Sequence, residues 1–139
     1  MAPGPGPRPW RGGGRGVILR IDRAWLLDIA HQFVPGDPDV TDYGTLAAAV
    51  ARHADEVMGV PVYEAVNQRA AALMHQLIRV PALESANEHF AAVVAASYLS
   101  ASGVIVTAEP QQAVDLAARI RAGHADVREA AAVIRTWYR

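Results

Sequence analysis

An all-α fold is predicted for this chain, a single compact bundle of about six helices, and three observations predict it. Alanine is abundant while aromatic residues make up only 6% of the chain and β-branched residues are thinly spread, a balance that favours helix over strand. Apolar residues recur at intervals of three and four along most of its length. Glycines, prolines and capping-type residues interrupt that pattern at helix-length spacings. With 139 residues and 52% apolar content, the chain can build one core and not two.

The first sixteen residues, MAPGPGPRPWRGGGRG, are mostly Gly, Pro and Arg. Such a stretch buries too little apolar surface to offset its ordering entropy, so residues 1–16 are predicted to be a disordered tail and 17–139 the folded domain. A short extended piece at 17–21 leads to Asp22, which can cap a first helix with Trp25, Leu26, Ile29 and Phe33 as its apolar positions. Pro35, Gly36 and Pro38 end it. A second helix is predicted from Thr41 or Asp42 through Leu46, Val50 and Val57, stopping at Gly59 and Pro61. The third runs from about Tyr63 to Arg79 and buries Val66, Ala70, Leu73, Met74, Leu77 and Ile78. The fourth, from about Ala86 to Ser102, carries Phe90, Val93, Val94 and Leu99 and ends at Gly103, where glycine tolerates a left-handed cap. Residues 104–106 form a brief extended link. The fifth helix spans about Ala108 to Ala122, and the sixth, Val127 to Tyr138, opens with the capping box Asp126 to Glu129.

Several function classes are excluded by composition. A formal charge of -1 and a pI near 6.5 leave no basic field for nucleic acid. All thirteen basic residues are Arg, and there is no Cys, so no disulfide framework, thiolate zinc site or cysteine nucleophile can form. No apolar stretch follows the basic start as a signal peptide requires, and no run reaches the roughly 20 residues of a membrane span. A cytoplasmic protein with no membrane or nucleic-acid partner is expected. His31, His53, His75, His89 and His124 show no i, i+4 pair of the kind that binds zinc on a helix, and the P-loop, G-x-G-x-x-G and G-x-S-x-G patterns are absent.

The segment RVPALESANEHF, residues 79–90, falls between the third and fourth predicted helices. Its layout resembles the Fic/Doc family signature H-x-F-x-[D/E]-G-N-[G/K]-R, with Val80 at the histidine position, Ala82 at the phenylalanine, Glu84 at the acidic residue, Ser85 and Ala86 at the glycine and asparagine, and Glu88 at the arginine. The flanking stretches IDRAWLLDIAHQF, DYGTLAAAVARH, VYEAVNQRAAALMHQLI and ASGVIVTAEPQQAVDLAARIRAGHADVREAAAVI are similar to Doc-type segments in spacing and apolar pattern. The chain is thereby identified as a Doc-like member of that family over nearly all of 17–139. The resemblance implies a helical bundle that transfers a phosphate or AMP from a nucleotide to a protein hydroxyl, with ATP and Mg²⁺ as cofactors. For short members it implies a toxin paired with a cognate antitoxin, with a translation factor as one class of target.

Residue by residue, little of the family chemistry carries over. The general base must be an imidazole, and Val80 is not one. Glu84 supplies the one matching group, a carboxylate suited to a divalent metal. Ser85 can leave backbone N–H donors for nucleotide phosphates at the helix start, but the asparagine amide is missing from Ala86 unless the register slips by one residue and Asn87 takes that role. Glu88 sets an anion against phosphates where the family has a bidentate cation. At about 4 Å and an effective dielectric near 20, that reversal exchanges roughly 4 kcal/mol of attraction for comparable repulsion. No residue is assigned as catalytic. The expected cofactor-binding residues are Ser85 and Asn87, and the expected metal ligand is Glu84. The same residues also read as a plain capping box, Ser85-x-x-Glu88. Two functions follow: a toxin of a toxin-antitoxin module with impaired transfer chemistry, or a non-catalytic module that keeps the fold to engage a partner protein. For either, the alanine-rich faces at 47–51 and 91–96 would admit a partner helix closely.

Overall fold

A computed structural model describes residues 18–139; the tail predicted at 1–16, and Val17, lie outside the described residues. Six helices follow one another: α1 Arg23–Phe33, α2 Tyr43–His53, α3 Val66–Arg79, α4 Asn87–Ala101, α5 Pro110–Arg121 and α6 Val127–Arg135, with a two-stranded antiparallel hairpin, β1 Glu56–Val57 and β2 Val60–Pro61, between α2 and α3. The all-α expectation holds. Three of the helices begin where an aspartate side chain accepts a backbone N–H of the first turn: Asp22 from Trp25, Asp42 from Thr45, and Asp126 from Glu129, each supplying an acceptor for a donor that the helix cannot satisfy itself. The box at α6 is reciprocal, Glu129 accepting from the Asp126 N–H at 3.0 Å.

Helix α3 is the axis of the bundle. It packs against α2, α4, α5 and α6, while α4 also packs against α1 and α5. Its run 69–74 is buried on every side, and three consecutive small residues, Ala70, Ala71 and Ala72, with the flexible Met74 after Leu73, let neighbouring helices close in. Arg69 is buried with them. It donates Nε–H to the Tyr98 hydroxyl at 2.8 Å and Nη1–H to the carbonyls of Tyr63 and Glu64, so its charge meets oriented dipoles instead of a carboxylate.

The element boundaries differ from the sequence expectation in five places, each for a local reason. Val57 lies outside α2, which stops at His53. There the imidazole bonds back to the Val50 carbonyl, and Met58 and Gly59, both at positive φ (53° and 80°), form the two-residue turn of the hairpin. α3 starts at Val66, not Tyr63, because the Gln68 side chain accepts from the Ala65 N–H. α4 starts at Asn87, one residue after the expected Ala86. α5 starts at Pro110, where the missing N–H costs nothing, and Gln112 accepts from the Glu109 N–H. α6 ends at Arg135, short of Tyr138, because Trp137 turns into the core and Tyr138 pairs with Val106 in an isolated bridge. The extended link expected at 104–106 thus ends as one side of that bridge.

Candidate functional site

The loop between α3 and α4 is built by its backbone. Val80 caps α3, its N–H bonding the Gln76 carbonyl, and its side chain is 43% exposed. Ala82 and Leu83 then turn inward and are buried. The segment lies along the α1–α2 connection: Leu83 bridges Val40, the Ala82 carbonyl accepts from the N–H groups of Thr41 (2.7 Å) and Asp42 (3.1 Å), and the Glu84 N–H donates to the Asp39 carbonyl at 3.0 Å.

One side chain closes the loop from within. Asn87, the first residue of α4, accepts through Oδ1 from the N–H groups of Ala82 (3.1 Å) and Leu83 (2.9 Å), and donates Nδ2–H to the Leu83 carbonyl at 2.9 Å. Ala86 precedes it at φ 59°, ψ 31°, in the left-handed region. That conformation suits glycine and costs an alanine about 1–2 kcal/mol. The Ser85-x-x-Glu88 capping box is not formed, since α4 has no side-chain cap and its N-cap residue is Ala86. A left-handed residue at 86 is thus followed directly by a carboxamide at 87.

The remaining expected site residues sit on the rim. Glu84 is exposed and its carboxylate accepts from the Asp39 N–H at 3.3 Å. Among the described residues no group of three or more His, Asp or Glu side chains gathers as a metal site. Ser85 is exposed beside it. Glu88 accepts from Arg121 of α5 at 3.4 Å, a pairing between exposed side chains. His89 points the other way, its Nε2 3.1 Å from the Phe33 carbonyl at the end of α1; a carbonyl only accepts, so this nitrogen carries the proton.

Beyond Glu88 and His89 a groove of about 590 Å³ runs between α4 and α5. Ala92, Val93 and Ala96 form one wall, Ala113 and Val114 the other, and Trp137 lies at its base. Its size and apolar lining fall within the range of ligand and peptide sites. Part of the alanine-rich stretch 91–96 therefore lines this groove, and 47–51 lies away from it. Sequence reasoning missed Ala86, whose residue type hides a glycine-like backbone, and Arg121, 33 positions from its partner Glu88. The Leu83–Asn87 spacing of four was the one available sign of a side chain folding back onto the loop.

His75 does not reach the loop. It stands on α3 with Nδ1 3.2 Å from Arg52 Nη1, and burial, followed by the charges of Arg52 and Arg79, holds its pKa below the ordinary 6.5 despite the opposing effect of Asp126.

No protein-family profile matches the chain. Toxin Doc from Mycolicibacterium smegmatis (strain ATCC 700084 / mc(2)155) is 37% identical over 89 residues, which cover 64% of this chain and 68% of that protein. That degree of identity over two thirds of a relative, with a six-helix bundle among the described residues, shows that the chain belongs to the Doc toxin family.

Proposed function

We propose that this protein is the toxin component of a bacterial toxin-antitoxin module, that its cognate antitoxin lays an amphipathic helix into the groove between α4 and α5, and that its transfer chemistry is impaired. The single observation that carries the partner reading is the groove itself, apolar along its walls and bounded by Glu88 and Glu109 at its mouth. Small residues on both walls let a helix backbone approach, and two carboxylates favour basic residues at the edges of its apolar face.

The impaired chemistry rests on the donor set of the loop. With Asn87 in the asparagine role, Pro81 takes the place of the base, Ser85 that of the acidic residue and His89 that of the arginine. With the unshifted register these places go to Val80, Glu84 and Glu88. Neither set contains both a base and a phosphate-binding guanidinium, and the free carboxylate of Glu84 already accepts a backbone N–H. These residues do not fit an ATP–Mg²⁺ complex. Translation factors are the target class suggested by the family resemblance; a target held without being modified would also arrest growth, which is the non-catalytic reading.

Expression of the chain in a bacterial host tests the function. Growth should arrest, co-expression of the reading frame adjacent to its gene should relieve the arrest, and the arrest should persist in Glu84→Ala. Absence of arrest, with the protein shown to be folded and present, refutes the toxin reading. Calorimetry with ATP and Mg²⁺ should give no binding heat at millimolar nucleotide, whereas clear binding, or labelled-nucleotide transfer to a cellular protein, would restore the enzyme.

A further inference from the structure

We propose that His53 is an acid-sensitive latch that fastens the segment at 19–21, and with it the start of α1, onto the bundle. His53 is the last residue of α2 and is 1% exposed. Its Nδ1 faces the Val50 carbonyl, and its Nε2 lies 3.1 Å from the Ile21 backbone nitrogen. A carbonyl only accepts and a backbone N–H only donates, so Nδ1 must carry a proton and Nε2 must offer a lone pair. One tautomer satisfies both neighbours. A second proton on Nε2 would set N–H against N–H inside the core, where an unmet donor is costly.

The ring also meets Tyr98 of α4 edge-on, with centroids 5.8 Å apart. The Tyr98 hydroxyl donates to the Leu19 carbonyl at 2.6 Å and accepts from Arg69 at 2.8 Å. Two adjoining aromatic side chains thus hold the backbone of 19–21, and His53 is the half of this grip whose ring can take up a proton on acidification. The charged groups facing it are Arg69 from α3 and Arg20 from the segment itself, the latter paired with Glu56 of β1. Both arginines oppose a second positive charge. Burial is the largest influence and holds the imidazole below its ordinary pKa of 6.5, against the Val50 and Ala49 backbone bonds, which raise it.

Opening the latch withdraws Ile21, 6% exposed, from the core cluster it shares with Leu26 and Ile29. The next residue is Asp22, the N-cap of α1, and the far end of α1 supplies the Phe33 carbonyl that receives His89 beside the loop. Protonation at one end of α1 therefore loosens the helix that supports the candidate site at the other.

Hydrogen exchange of the Ile21 amide in the full chain, followed by NMR and corrected for the intrinsic pH dependence of exchange, tests the latch. Protection should be constant above about pH 6.5 and fall below it by up to about tenfold per pH unit for as long as the latched imidazole stays neutral, with the Ile21 amide less protected throughout than the Leu73 amide of α3, as local release and not global unfolding requires. In His53→Gln, the carboxamide can accept from Ile21 and donate to Val50 without titrating, so protection should no longer depend on pH. Ile21 protection that stays flat in the native chain between pH 7.5 and 5.5 would overturn the proposal, as would an identical acid loss in His53→Gln. Should that variant fail to fold, the ring-nitrogen shifts of the native chain decide: a neutral Nδ1–H imidazole at pH 7 supports the latch, and a proton on Nε2 refutes it.

Discussion

Removing the Asn87 carboxamide is the sharpest perturbation of the loop, because one side chain satisfies three backbone groups. In Asn87→Ala the N–H groups of Ala82 and Leu83 lose their acceptor and the Leu83 carbonyl loses a donor. Both residues are buried, at 0% and 3% exposure. An unmet buried donor costs about 1–3 kcal/mol, and Asn87 is only half-buried, so water recovers part of the loss. The expected destabilisation is about 2–4 kcal/mol, read from the shift in urea midpoint at constant slope. Asn87→Asp is the internal control. It keeps both acceptor bonds and places a negative charge at a helix N-terminus, which is favourable, while losing the donor to Leu83; a cost below about 1.5 kcal/mol is expected. A loss under about 1 kcal/mol for the alanine variant, or equal losses for both variants, would show that the two N–H bonds are not what holds the loop.

Trp137→Ala should cost about 3–5 kcal/mol in the same assay, since it empties a fully buried site, whereas Trp137→Phe should cost much less, because the indole N–H has no acceptor among the described residues. Thermal stability should fall as pH drops below about 6.5: His53 and His75 both have lowered pKa values, so the unfolded chain takes up protons that the folded one refuses. Stability is complete above 6.5, and the buried His53 removes up to about 1.4 kcal/mol per pH unit below it; flat melting temperatures from pH 7.5 to 5 would contradict this. Val114→Arg, at a 56% exposed position on the groove wall, should leave stability within about 0.5 kcal/mol yet weaken antitoxin binding at least tenfold in calorimetry.

The sequence was most legible where a side chain acts on its own backbone. Asp22 and Asp126 mark two helix starts because an N-cap is a local device, a third start reads as Thr41 or Asp42, of which Asp42 is the cap, and the spacing of apolar residues gives the helix that proves to be the axis. It was least legible where contacts join distant segments. The hairpin at Glu56–Pro61 carries exposed Val57 and Met58, 62% and 97%, so its apolar residues imitate a helix face while staying outside the buried core. Trp137 ends α6 because the core at 106–107 claims it: the Thr107 N–H donates to its carbonyl at 2.6 Å. In the loop, the acidic and anionic positions were readable as residue types. Their register was not, because Ala86 gives no sign of a left-handed conformation and Ser85-x-x-Glu88 mimics a cap that does not form.

The loop keeps its form without the family's reactive groups because those groups do not build it. Its supports are the backbone bonds of Ala82 and Glu84 to the 39–42 connection and the carboxamide of Asn87, none of which involves a base, a metal ligand or a phosphate-binding cation. Scaffold and chemistry can therefore be exchanged separately, and the register can be tested by restoring the chemistry. If Ala86 and Asn87 occupy the Gly-Asn positions, then Pro81→His, Ser85→Glu and His89→Arg together restore the base, the acidic residue and the arginine of the signature, and this variant should bind ATP with Mg²⁺ where the native chain does not. Val80→His with Glu88→Arg, the unshifted alternative, should fail: it sets an arginine against Arg121, now 3.4 Å from the Glu88 carboxylate, and leaves Asn87 one place beyond the asparagine position. Binding by the second variant and not the first would overturn the shifted register while leaving family membership intact.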